Sequence, residues 1–85
     1  MNLKISKLIR NAFKHMSIVI LIDNRKPGYP YILWRMRDNK FYEVFLGDEG
    51  TKVFDKEDLE DMINFFLDKF EIDDEKDKEF FSILW

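Results

Sequence analysis

The chain has 85 residues, 46% of them hydrophobic and 36% charged, with a formal net charge of −3 at pH 7. That is enough apolar material for one small domain over residues 1–85, and it excludes a chain kept disordered by low hydrophobicity. The absence of cysteine removes disulfides, zinc ribbons and thiol catalysis.

Residues 3–16 have the period of an amphipathic helix. Ile5, Leu8, Ile9, Ala12, Phe13 and Met16 fall on one arc, and Lys4, Lys7, Arg10 and Lys14 on the opposite arc. Residues 18–22 are then continuously apolar and mostly β-branched, as in a strand covered on both faces. This run is far shorter than the roughly 20 residues of a membrane-spanning helix. The basic start of the chain also lacks the apolar stretch and small-residue cleavage site of a secretory signal. A cytoplasmic location is therefore expected. Two prolines and a glycine in residues 24–30 end the strand.

Residues 31–37 and 40–46 form a predicted hairpin around Asp38 and Asn39. That turn sets Met36 opposite Phe41, Trp34 opposite Glu43 and Ile32 opposite Phe45, and this face is expected to supply most of the core. The other face pairs Arg35 with Tyr42 and Leu33 with Val44. A second turn at residues 47–50 leads to a short fourth strand at residues 51–54. Asp55 has the chemistry of an N-cap for the next helix, with Phe54 and Leu59 spaced as a hydrophobic staple. The inner stripe of that helix is Leu59, Met62, Ile63, Phe66, Leu67 and Phe70, with Phe65 outside both arcs. A last helix, capped by Asp73 or Asp74, is expected to bury Phe80, Phe81, Leu84 and Trp85. The predicted fold class is thus α+β: a helix, a three- or four-stranded antiparallel meander sheet, then two helices packed on one face.

Charge is strongly polarised along the chain. Residues 1–40 carry nine Lys and Arg against two Asp, a net of +7, whereas residues 41–85 carry five Lys against fifteen Asp and Glu, a net of −10. Either the halves pair within one fold or they face different partners.

Catalysis has little support. His15 is the single histidine and has no carboxylate near it in sequence. No serine sits in a nucleophile elbow, and three glycines make no phosphate-binding loop. Asp73, Asp74, Glu75 and Asp77 are oxygen donors without the glycine and bidentate glutamate of a calcium loop, so neither metal nor cofactor is expected. A binding protein is the expected class, not an enzyme.

Two binding surfaces follow from the charges. The first is an acidic ridge of Glu57, Glu60, Asp61, Asp68 and Glu71, continued by Asp73, Asp74, Glu75 and Asp77, with Phe65 as an aromatic anchor. Carboxylates spaced along a helix present charge at intervals comparable to those of a nucleic-acid strand. The second surface is basic: Lys4, Lys7, Arg10 and Lys14, together with Arg35, Arg37 and Lys40, with Tyr42 as a stacking platform for direct nucleic-acid binding or transcriptional regulation.

The order helix, three strands, helix over residues 3–70 is similar to that of double-stranded RNA-binding domains. At the start of the helix after the sheet, however, where those domains place lysines, this chain has Asp55, Glu57, Asp58, Glu60 and Asp61, which repel phosphate. In size, order of elements and acids at Glu57, Glu60, Asp61, Asp73, Asp74, Glu75 and Asp77, the chain resembles small phage anti-CRISPR proteins. These are acidic DNA mimics that inhibit the type II effector nuclease. The resemblance implies a phage-type, non-catalytic inhibitor in the cytoplasm of a bacterial host cell. Its partner would be a protein with a basic nucleic-acid-binding cleft, such as a CRISPR effector nuclease.

Overall fold

The computed structural model describes residues 3–28, 30–36 and 41–84. Helix α1 (Ile5–Phe13) is followed by β1 (Ile18–Asp23), β2 (Tyr31–Met36), β3 (Phe41–Phe45) and β4 (Thr51–Asp55). Helix α2 (Leu59–Lys69) and a final strand, β5 (Phe81–Leu84), complete the α+β fold. All strand pairs are antiparallel, in the order β4-β3-β2-β1-β5. Four strands meander, and the fifth returns to the far side of β1. Both helices lie on one face.

The arcs read from sequence form the core. Ile5, Ile9, Ala12 and Phe13 of α1 are buried, as are Met62, Ile63, Phe66 and Leu67 of α2. The sheet meets them with Val19, Leu21, Leu33, Val44 and Phe81. A fully buried side chain such as Ile9 or Phe66 contributes about 1.5–3 kcal/mol of transfer free energy. Tyr31 closes the end of this core, its ring lying 4.7 Å from Phe70, 5.5 Å from Phe66 and 6.0 Å from Phe81. Burial pushes its hydroxyl pKa up.

Residues 73–84 depart most from expectation: the last helix is absent, and β5 takes its place. Asp73 accepts the backbone N–H groups of Glu75 and Lys76 at 3.0 and 2.7 Å, so it closes a local turn. A short 3-10 turn, Lys78–Phe80, follows, and then Phe81 and Ile83 point inward while Ser82 and Leu84 point outward. Without β5, β1 would carry a row of unpaired backbone groups at the sheet edge. Trp85, expected in the core, lies outside the described residues.

Helix α2 also starts later than expected. Asp55 ends β4, and Asp58 occupies the N-cap without a side-chain capping bond. Phe54 packs on Phe65 at a ring separation of 5.5 Å.

The β2–β3 register is the predicted one, with Met36 opposite Phe41, Trp34 opposite Glu43, Arg35 opposite Tyr42 and Leu33 opposite Val44. The buried face is the other one. Leu33, Tyr42 and Val44 face the helices, whereas Met36 and Phe45 are exposed and Ile32, Trp34 and Phe41 are half-buried. Likewise β1 is covered on one side only: Val19 and Leu21 are buried, but Ile18 is 56% exposed. The Asp38–Asn39 turn itself lies outside the described residues.

Candidate functional site

The acidic residues divide into two groups. The first is engaged within the fold. Asp74 holds the start of α1: one carboxylate oxygen accepts the Ser6 backbone N–H at 2.7 Å, and the other accepts the Ser6 hydroxyl. Its carbonyl also accepts the Ile5 N–H. Lys4, the N-cap of α1, makes no side-chain capping bond, so a carboxylate 68 positions away in sequence satisfies the open amide and complements the helix dipole.

Glu60 accepts both Arg10 Nε and Nη2, at 2.6 and 2.7 Å, in a bidentate pair that joins α2 to α1. The Arg10 hydrogen bonds hold the Glu60 carboxyl below its ordinary pKa. Glu75 pairs with Lys78 and, at 4.0 Å, with Lys4. Backbone N–H donors from Lys76 and Glu75 depress the Asp73 pKa.

Arg25 is the most connected of the internal cations. It donates to both oxygens of buried Asp23 at 2.9 Å and to Asp77 at 2.7 Å, and its guanidinium lies 4.9 Å from the Phe80 ring centre. The Arg25 hydrogen bonds hold the Asp23 carboxyl below its ordinary value. This cluster fastens the loop after β1 to the segment entering β5.

The Arg10–Glu60, Arg25–Asp77 and Lys4–Glu75 pairs all join the basic half of the sequence to the acidic half. Internal pairing therefore accounts for Glu60, Asp73, Asp74, Glu75 and Asp77, which the sequence placed on the partner-binding ridge.

The second group remains open. Glu57, Asp61, Asp68 and Glu71 are exposed, and among the described residues their side chains make no ion pair or hydrogen bond. They line the outer side of α2 and its flanking turns. Phe65, expected as an exposed anchor, is half-buried against Phe54.

On the basic side, Arg10, Lys14 and Arg35 line one shallow cleft of about 370 Å³ with Phe13, Tyr42 and Leu59. Arg10 is committed to Glu60, and Arg35 Nη1 donates to the Phe13 carbonyl at 3.1 Å, closing the end of α1. Tyr42 is 7% exposed and packs edge-on against Phe13 at 5.1 Å, which removes it as a stacking platform. Lys4, Lys7 and Lys14 stay exposed, while Arg37 and Lys40 lie outside the described residues.

A third surface was missed by sequence reasoning. The sheet face away from the helices is largely apolar, interrupted by Glu43 on β3 and by Thr51 and Asp55 on β4. Ile18, Ile20 and Ile22 of β1 lie beside Ile32, Trp34 and Met36 of β2, with Phe41 and Val53 beyond and Leu84 on the other flank. Val53 and Leu84 are 50% and 53% exposed. The signal was present in residues 18–22, whose unbroken apolar run suits a strand with two covered faces.

Among the described residues no group of three or more His, Cys, Asp or Glu side chains is arranged to hold a metal ion, and no helix is long and apolar enough to cross a membrane. Comparison with protein families, with curated proteins and with solved structures found no match.

Proposed function

We propose that this chain is a non-catalytic inhibitor that binds the basic nucleic-acid-binding cleft of a protein, the outer face of α2 standing in for a phosphate-bearing strand. The observation that carries this reading is the set of open carboxylates, Glu57, Asp61, Asp68 and Glu71, on the outer side of α2 and its flanking turns, beside ridge acids Glu60, Asp74, Glu75 and Asp77 that have internal partners. Asp61 and Asp68 are two helical turns apart, about 10.5 Å along the axis, close to three steps of about 3.4 Å along one nucleic-acid strand. Leaving like charges unpaired on one face costs stability in isolation, a cost that an arginine-lined cleft reverses through charge-assisted bonds.

The resemblance to phage anti-CRISPR proteins points to one class of target, a guided nuclease whose arginines read guanine edges. Occupancy of that cleft is sufficient, and no reaction is required. The test is competition between this protein and duplex DNA for a guide-loaded type II nuclease. Binding should weaken steeply with salt. The triple change Glu57→Lys, Asp61→Lys, Asp68→Lys should weaken inhibition by about a hundredfold, with the circular dichroism spectrum unchanged. Failure of the unmodified protein to displace DNA contradicts the reading.

One observation favours a second reading, direct contact with nucleic acid: Lys14, which follows α1, and Arg35 of β2 share a cleft. Measurable duplex-DNA binding by the protein alone, lost in Lys14→Ala with Arg35→Ala, would establish that alternative.

A further inference from the structure

We infer that the cleft between the end of α1, β2 and the start of α2 is a binding site for a small phosphate monoester with an apolar body. The inference is independent of the acidic outer face of α2. Its first support is charge. The chain is net negative, yet the lining of the cleft, Arg10, Phe13, Lys14, Arg35, Tyr42 and Leu59, holds three cations and no carboxylate. Glu60 neutralises Arg10 by taking its Nε and Nη2. Lys14 and Arg35 make no ion pair among the described residues. Two positive charges are therefore left to one occupant, which matches a monoester carrying nearly two negative charges at neutral pH.

Preorganisation gives the second support. The Arg35 backbone N–H donates to the Ser17 carbonyl at 2.7 Å, and its Nη1 donates to the Phe13 carbonyl at 3.1 Å. The side chain is thus held at both ends, and its remaining N–H groups have no hydrogen-bond partner among the described residues. A planar fork fixed in this way binds phosphate oxygens at less entropic cost than a free side chain. The carbonyls at the end of α1, which would repel an anion, are also occupied. Asn11 accepts the Lys14 N–H, Ala12 accepts those of His15 and Met16, and Phe13 accepts the Arg35 guanidinium.

The rest of the lining is apolar. Phe13 and Tyr42, 2% and 7% exposed, pack edge-on and make a fixed floor, and half-buried Leu59 makes one wall. The volume of about 370 Å³ suits one ring with its phosphate. Inorganic phosphate would leave this apolar surface wet, and each phosphodiester of a nucleic acid brings one charge to two cations.

Phenyl phosphate is the probe, titrated into isotope-labelled protein and followed by NMR. Saturable shifts at Lys14, Arg35, Tyr42 and Leu59 are expected, with a Kd of about 1 mM. Inorganic phosphate should bind about tenfold more weakly, for want of the apolar contact. Lys14→Gln, at an exposed position, should keep the fold by circular dichroism and weaken binding about tenfold. Lys7→Gln, exposed on the same helix but outside the cleft, should change it by less than about twofold. Leu59→Ala should weaken phenyl phosphate about threefold and leave inorganic phosphate unchanged. The absence of saturable shifts up to about 20 mM overturns the proposal. So does equal loss in Lys7→Gln and Lys14→Gln, which would report net charge alone. Inorganic phosphate binding as tightly as phenyl phosphate would mean an adventitious ion only. Displacement of the probe by duplex DNA at matched phosphate concentration would overturn it in favour of nucleic-acid contact.

Discussion

The two faces of the sheet are both apolar, and they behave differently. On the helix side Val19, Leu21, Leu33 and Val44 are fully buried against α1 and α2. On the other side Ile18, Val53 and Leu84 remain half-exposed. Composition alone does not separate a core face from a docking face. What separates them is the supply of covering elements: two helices are enough for one face of five strands and not for both. The uncovered face is therefore where association can add burial that folding of one chain does not provide.

Core truncation should produce the largest contrast between the faces. Phe66→Ala should cost about 3–5 kcal/mol. Val53→Ala should stay within about 0.5 kcal/mol. Urea unfolding measures both, and equal losses would erase the distinction between the faces.

The next effect concerns the edge strand that both faces share. Arg25→Ala leaves the buried Asp23 carboxylate without its guanidinium and frees Asp77. It should therefore destabilise the chain more than Ser6→Ala, for which about 1 kcal/mol is expected from the lost hydrogen bond. Hydrogen exchange should place the added opening at β5.

Acid comes next. Asp23, Glu60 and Asp73 all have depressed pKa values in the folded chain. Their contribution is present above the ordinary carboxylate range near pH 4 and is lost as pH falls through the lower folded values. Unfolding midpoints should fall from about pH 5 downward, and Asp23→Asn should have a shallower acid limb than the unmodified chain. The smallest effect is expected from Arg10→Ala. The Arg10–Glu60 pair is solvent-exposed, and its removal should cost at most about 1 kcal/mol.

Local and non-local features differed in legibility. The arcs of α1 and α2 were readable because a helix repeats within a few residues. The β2–β3 register was readable because a two-residue turn sets it. The buried face of that hairpin was not, since Trp34, Phe41 and Ile32 rival Leu33, Tyr42 and Val44 in apolarity. Residues 80–84 fit either a helical arc or an alternating strand, and the free edge of β1, about 60 positions away, selects the strand. The acidic ridge had the same difficulty. Glu60 and Arg10 are 50 positions apart and Asp74 and Ser6 are 68 apart, so neither pairing shows in local spacing. The four acids that stay open lie on or beside α2, where helical periodicity was informative.

The division of labour between the two sheet faces is tested most directly through Trp34, which lies on the open face. In a Trp85→Phe background it is the single tryptophan, and its emission reports whether water reaches that face. A red-shifted emission from the folded chain, quenched by a small water-soluble quencher, is the predicted result. A blue emission protected from the quencher, as expected of a tryptophan in the helix-side core, would contradict it.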